Sequence, residues 1–397
     1  MVATVYLKPK RDKPAFNQHP WVFSGAVRAV EDDPTPGDIL AVRAHDGQFI
    51  GHGYWNPASQ IQVRLLSWDE QPIDDAWWRA QLKRAVDARK GYVHPAYRVI
   101  HAESDYLPGL IVDRYDRYLV MQALTLGIER RKHMIADILA TLLDVDGIYE
   151  RSDTDARQKD GLEISNGLIW GQEPPEHIVI TEGDPAIQLA IDVYNGHKTG
   201  FYLDQTDNRA YVQTLLRQIG GQRRVLNLFS YTGGFGLHAL RTGNATVINV
   251  DASFDALQLA EDAVKMNDLP IAAAEFIQAD VFEYLRDMAD AGELYDVVIA
   301  DPPKFAHSKS QVDRASRGYK DINLNAFNVV APGGYLMTFS CSGAISAELF
   351  QKIVFGALAD SGRQAQIVRR FTAGADHPVA LTFPEGDYLK GLLLRVY

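Results

Sequence analysis

From about residue 220 the chain repeats a strand, a turn and a helix, and that alternation constrains the fold more than any single residue. Val225–Phe229, Thr246–Val250, Glu275–Ala279, Asp296–Ala300 and Tyr335–Phe339 are apolar runs of strand length. Helical patterns are expected at Gly234–Arg241, Ser253–Met266, Val281–Ala289, Ile322–Val330 and Ser346–Leu358. Such a series predicts an α/β unit, a mostly parallel sheet with helices on both faces. Two last strands, near Gln366–Phe371 and Tyr388–Arg395, would complete the sheet.

The first half reads differently. Residues 1 to about 72 alternate short strands (Thr4–Leu7, Ile39–Arg43, Phe49–Tyr54, Ile61–Leu66) with turn signals such as Asp33-Pro34, Pro36-Gly37-Asp38 and Asp46-Gly47. That spacing predicts a small β-barrel or sandwich. Trp21 and Phe23 are expected in its core, stacking on nucleic-acid bases being the other role open to them. A helix is expected from Asp74 to about Gly91. Residues 98–190 then mix strands with one helix over Ile128–Leu143, an α+β module.

Charge and cysteine usage limit the function classes. The net charge of −11 argues against a surface coated all over with nucleic acid, yet leaves room for local basic sites. Lys8, Lys10, Arg11 and Lys13 form one cluster, Arg130, Arg131, Lys132 and His133 a second, and Lys304, Lys309, Arg314, Arg317 and Lys320 a third. Each alone reads as a solvated face. The only apolar stretch near the N-terminus, Val2 to Leu7, precedes its lysines, the wrong order for a secretory signal. With a single cysteine in 397 residues and no run of membrane length, a cytoplasmic protein without membrane association is expected.

The candidate chemistry gathers at strand ends. The first strand of the alternation runs into Phe229-Ser230-Tyr231-Thr232-Gly233-Gly234-Phe235-Gly236, where glycine lets a backbone turn sharply and approach a ligand. Asp251 ends the next strand, at a spacing suited to a ribose diol, and Asp280 ends the third, where a carboxylate can accept from an adenine amino group. Singly, each acid is as well explained as a helix N-cap. Together they favour an adenosine-bearing cofactor. The fourth strand leaves through Asp301-Pro302-Pro303-Lys304-Phe305, and the fifth delivers Cys341 within Phe339-Ser340-Cys341-Ser342-Gly343. A lone cysteine cannot form an intrachain disulfide or a cysteine-rich metal site, so it is a small buried hydrophobe or a nucleophile. No metal site is expected.

These motifs resemble those of class I methyltransferases, and among them the bacterial 23S rRNA cytosine-5 methyltransferase family, large-subunit methyltransferase I. The resemblance runs over essentially the whole chain. It includes His19-Pro20-Trp21-Val22-Phe23-Ser24-Gly25, Ser59-Gln60-Ile61, Gly196-His197-Lys198-Thr199-Gly200-Phe201-Tyr202-Leu203-Asp204-Gln205, Gly318-Tyr319-Lys320-Asp321-Ile322-Asn323 and Tyr388-Leu389-Lys390-Gly391. Gly236 departs from it, since small apolar residues are also expected there.

The resemblance implies a PUA-like RNA-binding domain (1–72), a small central α+β domain (73–188) and a Rossmann-like domain (189–397) that uses S-adenosyl-L-methionine. The expected substrate is 23S ribosomal RNA or a large-subunit assembly intermediate, and the expected product 5-methylcytosine. A homodimer is compatible with the sequence. Cys341 would be the nucleophile, with Asp301 at the base edge and Lys304 on a phosphate or beside the thiol. Phe229, Ser230, Tyr231, Thr232, Gly233, Gly234, Asp251, Asp280 and Gln205 would hold the cofactor. His197, Lys198, Tyr202, Asp204 and Gln205 would close over cofactor or substrate, or else pack as an ordinary strand and turn. Lys8, Lys10, Arg11, Lys13, Lys309, Arg317 and Lys320 would meet RNA.

Three rivals stay open. A methyltransferase acting on an exocyclic amine or a purine ring nitrogen would keep Asp301-Pro302-Pro303 but give Cys341 no task. An NAD-dependent dehydrogenase would share only the glycine turn and Asp251. A non-catalytic RNA-binding protein would need none of the cofactor residues.

Overall fold

The computed structural model describes residues 3–92, 94–306 and 308–397, so Val2 of the N-terminal apolar stretch lies outside them. They divide into two compact units. One comprises Met1–Ile180, Ile191–Leu203 and Ala375–Gly386, the other Thr181–Ala190, Asp204–Gly374 and Asp387–Tyr397.

The strand–helix alternation forms the second unit. Its strands are β1 (Arg223–Leu228), β2 (Ala245–Asp251), β3 (Ala274–Gln278), β4 (Tyr295–Ala300), β5 (Val330–Ser340), β6 (Ala365–Phe371) and β7 (Lys390–Val396). They make one sheet in the order β3-β2-β1-β4-β5-β7-β6. The first five run parallel, and β7 inserts antiparallel to both β5 and β6. Strand order reverses between β1 and β4, and in an open α/β sheet ligands bind at such a reversal, beyond the strands' carboxyl ends.

The helices are α1 (Thr206–Ile219), α2 (Gly234–Leu240), α3 (Phe254–Met266), α4 (Val281–Asp290), α5 (Val312–Val329) and α6 (Ala347–Ser361). Side-chain caps start three of them: Ser253 accepts from Ala256 N, Asp280 from Phe282 N and Glu283 N, and Ser346 from Leu349 N. Gly362, left-handed at φ +68°, ends α6. Leu226, Leu228, Val298 and Leu336 of the sheet pack with Tyr319, Phe327 and Phe350 of the helices in one fully buried core.

Helix α5 begins ten residues before the expected Ile322. Its buried residues Ala315, Tyr319, Ile322, Ala326 and Val329 keep a helical three-and-four spacing. Arg314, Arg317 and Lys320 between them mask the signal. Helix α1 escaped the pattern because its inner face mixes Thr206, Asn208, Arg209 and Gln213 with Val212, Leu215 and Leu216. Arg209 on it is buried against Glu182 (Nε–Oε1 2.6 Å), which also meets buried His238 (3.0 Å).

In the first unit, the N-terminal strands form a six-stranded sheet: Trp21–Phe23, Ile61–Ser67, Phe49–Trp55, Ile39–Arg43, Thr4–Leu7 and Val27–Glu31, in that order. Val5, Leu7, Val22, Leu40, Val42 and Val63 fill its core. The core expectation for Trp21 and Phe23 fails. Side chains alternate along a strand, so Val22 points inward while Trp21 is half-buried and Phe23 is 49 % exposed.

A five-stranded sheet follows: Ser165–Gly171, Gly147–Ser152, Tyr118–Ala123, Leu110–Tyr115 and Ala96–His101. The helix expected over Ile128–Leu143 is two helices, Leu126–Glu129 and Lys132–Leu142. Asp160, which caps the short helix Asp155–Lys159, bonds Arg64 Nη1 at 2.7 Å through its carboxylate and Asn56 Nδ2 at 2.8 Å through its carbonyl. Arg98 makes a two-pronged pair with Asp113 (2.7 and 2.8 Å), and Thr199 Oγ1 donates to the same carboxylate at 2.6 Å. No described helix is long and apolar enough to cross a membrane.

Candidate active site

The turn after β1 is wound tightly. Phe229 (φ +55°), Tyr231 (φ +49°) and Gly233 (φ +76°) are left-handed, at a cost of roughly 1–2 kcal/mol for each of the two non-glycine residues. Hydrogen bonds hold it there. Tyr231 N donates to Asp251 Oδ2 at 2.8 Å, Ser230 N to Val250 O at 3.0 Å and Gly233 N to Ser230 O at 2.8 Å. Strain held this way is a mark of ligand sites.

Asp251 therefore shapes the turn, and its other oxygen accepts from Ser253 N at 2.9 Å. The departure at Gly236 has a local reason. A Cβ there would lie 2.4 Å from Asn249 Oδ1, which accepts from Asn227 Nδ2 at 2.9 Å.

The turn suits a polar cofactor. The Ser230 hydroxyl is buried with no hydrogen-bond partner among the described residues, at the sheet's ligand edge. Asp280 caps α4, as a helix reading of it alone expects. That cap sets Phe282 between Phe229 (centroids 6.4 Å apart) and Phe305 (6.1 Å), and Phe305 lies on Tyr319 (4.8 Å). A row of rings thus runs from the turn after β1 to the exit of β4.

Adjacent β4 and β5 bring Asp301 and Cys341 to one rim, as their positions after neighbouring parallel strands require. Asp301 Oδ2 accepts from Gln205 Nε2 at 3.0 Å. Gln205 is itself held by Asn208 Nδ2 (2.6 Å), which also reaches Thr372 O. Asp204 accepts from the Tyr388 hydroxyl at 2.7 Å.

Cys341 is half-buried, its Sγ 4.0 Å from Pro302 O. The next residue locks its loop: Ser342 Oγ accepts from Ala306 N at 3.2 Å and shares a hydrogen bond with Tyr319 Oη at 3.0 Å. Lys390 Nζ donates to Ser342 O (2.8 Å) and Ile345 O (2.6 Å). Burial pushes the Lys390 ammonium down to about 8, against the pull of Asp387 and Cys341 and with a further push from Lys304.

The remaining predicted residues lie as follows. Lys304, Lys309 and Arg317 are exposed, whereas Lys320 is paired with Asp360 at 2.7 Å. Lys8, Lys10 and Lys13 are exposed on the N-terminal sheet domain. Arg11 lines a cavity of about 530 Å³ there, together with His19, Trp21, Phe23 and Glu385. His197 and Lys198 pack on Tyr202, at 3.0 Å to its hydroxyl and 4.4 Å to its ring centre. They belong to the first unit, whereas Asp204 and Gln205 belong to the second. Sequence reasoning gave no role to Asn208, Tyr319 or Lys390. For Lys390 there was a signal, a lysine opening the apolar run Gly391-Leu392-Leu393-Leu394.

A reversal-point sheet carrying a strained glycine turn belongs to the Rossmann-like class, and the comparisons agree. The S-adenosylmethionine-dependent methyltransferase family matches residues 165–384, and a PUA-like domain family matches residues 5–68. The class is therefore that of methyltransferases using S-adenosylmethionine, joined to a PUA-like domain.

Across its full length the chain is 46 % identical to the ribosomal RNA large subunit methyltransferase I of Tolumonas auensis, with all of both chains covered. It is 44 % identical to that of Aeromonas salmonicida and 45 % to that of Shewanella amazonensis, again over all of both chains. The chain belongs to the ribosomal RNA large subunit methyltransferase I family. Its fold matches a structure assigned to an S-adenosylmethionine-dependent methyltransferase of Streptococcus mutans, with TM-score 0.83 and 19 % identity over all of both chains. A second structure, assigned to a methyltransferase and complexed with SAH, gives 0.84 at 20 % identity and the same coverage.

Proposed function

We propose that this enzyme methylates C5 of a cytosine in 23S ribosomal RNA, free or in a large-subunit assembly intermediate, through a covalent bond to Cys341. One observation carries the reading: the chain's only thiol sits half-buried beside the Asp301-Pro302 exit, on the sheet edge that bears the cofactor turn. A methyltransferase acting on an amine or ring nitrogen has no use for it. The ribosomal substrate rests on the names of the relatives.

When bound, S-adenosylmethionine supplies an electrophilic methyl group. Cytosine C5 is too weak a nucleophile to take it unaided. The Cys341 thiolate adds to C6, forming a C–S bond and displacing the C5–C6 π pair onto C5, delocalised through C4 to N3, so that C5 becomes enamine-like. Asp301, steadied by Gln205, holds the N3/N4 edge by hydrogen bonding. C5 then takes the methyl group, and the C–S pair of the donor leaves with its sulfur. A base removes the C5 proton, the C5–C6 double bond re-forms and the thiolate departs. The base must first be unstacked to reach this rim.

In this reading residues 1–72 and the exposed Lys309 and Arg317 hold the surrounding RNA, residues 73–188 link, and residues 189–397 carry the chemistry. A chain that keeps its one cysteine as a working thiol suits the reducing cytoplasm.

The test is an RNA fragment with 5-fluorocytosine at the target position. After methyl transfer, fluorine stands where the proton would leave, so elimination stalls. An adduct stable to denaturing electrophoresis is expected with S-adenosylmethionine, and none without it or with Cys341→Ala. No adduct on an RNA whose unfluorinated form is methylated would shift the assignment to amine or ring-nitrogen transfer.

A further inference from the structure

We infer that Lys390 is the positioning cation of Cys341, closing the loop that presents the thiol and favouring its thiolate form. The inference deepens the covalent reading and rests on it. Lys390 opens β7 directly across from Ser340, the residue before Cys341. Two of its three N–H donors are spent on Ser342 O and Ile345 O, carbonyls that follow the cysteine. The side chain thus grips the loop on the far side of the nucleophile while its backbone is paired on the near side. Only 7 % of the residue is exposed. Among the described residues its bonding partners are neutral carbonyls rather than a carboxylate, so no direct ion pair with them cancels its charge.

The thiol needs such a neighbour. Partial burial and the facing Pro302 carbonyl both disfavour a thiolate. At an ordinary thiol pKa of about 8.5, only a few per cent is ionised at pH 7. Among the described residues, charged or titratable groups near this spot include Lys390, Asp387, Lys304 and Tyr319, and Asp301 stands on the same rim. Lys304 is exposed and therefore screened, and the Tyr319 hydroxyl is engaged with Ser342. Asp387 and the rim carboxylate Asp301 act against a thiolate, which among the described residues leaves Lys390 as the buried positive charge. The pair titrates together, the thiolate in turn favouring the ammonium.

Because the 397-residue chain has one cysteine, alkylation by iodoacetamide reports Cys341 alone. The rate would be followed against pH, without RNA, for the wild type, Lys390→Met, Lys390→Gln and Lys390→Arg. The wild-type midpoint is expected at least about one unit below the ordinary thiol value, a tenfold gain in thiolate. Lys390→Met and Lys390→Gln should move it up by a similar factor. Gln keeps amide donors for the carbonyls without the charge. Lys390→Arg should retain most of the depression. S-adenosylmethionine binding by calorimetry identifies folded variants.

A wild-type midpoint at or above the ordinary value overturns the inference without any variant. So does an unchanged midpoint in whichever of the Met and Gln variants folds. If neither neutral variant folds, the comparison of wild type with Lys390→Arg decides. The 5-fluorocytosine trap separates the two claims: an adduct with an undepressed midpoint removes only the role of Lys390, and a depressed midpoint with no adduct removes only the C5 reading.

Discussion

Asp251 and Asp301 both sit at strand ends of one sheet, yet their partners differ. Asp251 bonds the amides of Tyr231 in the glycine turn and of Ser253 at the start of α3, whereas Asp301 faces Gln205 and the rim that bears Cys341. Asp251→Ala should weaken S-adenosylmethionine binding by about 1.5–3 kcal/mol, the scale of hydrogen bonds to a charged group, since it loosens a turn held in left-handed geometry. Asp301→Ala should instead lower the single-turnover rate with cofactor affinity little changed. Calorimetry and single-turnover kinetics on both variants check the division, and loss of cofactor affinity alone in both would refute it. Cys341→Ala should abolish methyl transfer while binding cofactor normally, because its thiol is placed on Pro302 rather than on the glycine turn. Full turnover by that variant would end the covalent mechanism.

At the scale of elements, the least expected feature is the buried charge under helix α1. Burial alone would raise the Glu182 carboxyl, but Arg209 and His238 outweigh it and hold the group down to about 2. His238, driven low mainly by burial, is held towards the neutral form. A carboxyl depressed from 4.5 stabilises the fold fully above that ordinary value and loses the contribution as pH falls through about 2. Denaturant melts between pH 6 and pH 2 should show that loss in the wild type. Glu182→Gln should be destabilised at neutral pH by roughly 3–5 kcal/mol, because Arg209 is left buried without its counter-charge. The variant's stability should also fall less steeply across the acid window. Equal slopes in the two proteins would mean that other carboxyls set the acid limit.

For the whole molecule, the proposed RNA binding through local clusters has to coexist with a net charge of −11. Lys8, Lys10 and Lys13 are exposed on the PUA-like domain, where Arg11 shares its cavity with Trp21 and Phe23. RNA affinity should fall steeply with salt. The combined Lys8→Ala, Lys10→Ala and Arg11→Ala variant should bind more weakly and flatten the log–log salt slope by about 0.7–0.9 for each phosphate no longer neutralised. Filter binding across a series of salt concentrations reads both quantities. An unchanged slope would place the RNA anchor elsewhere on the chain.

The repeat of apolar strands and helices determined the parallel sheet, because burying both faces of a strand leaves a mark in the sequence itself. The same holds for the strand-end positions of Gly233, Asp251, Asp301 and Cys341, which parallel pairing carries to one edge whatever the loops do. What sequence could not decide depends on which residues meet across long separations. Lys390 reaches the Cys341 loop only because β7 inserts antiparallel beside β5, an order no local pattern encodes. Gln205 finds Asp301, and Glu182 finds Arg209, through side chains whose polarity reads as surface until a partner is found. Phe23 shows the converse: its apolar side chain read as core, but the alternation of the strand, set by the inward Val22, turned it outward.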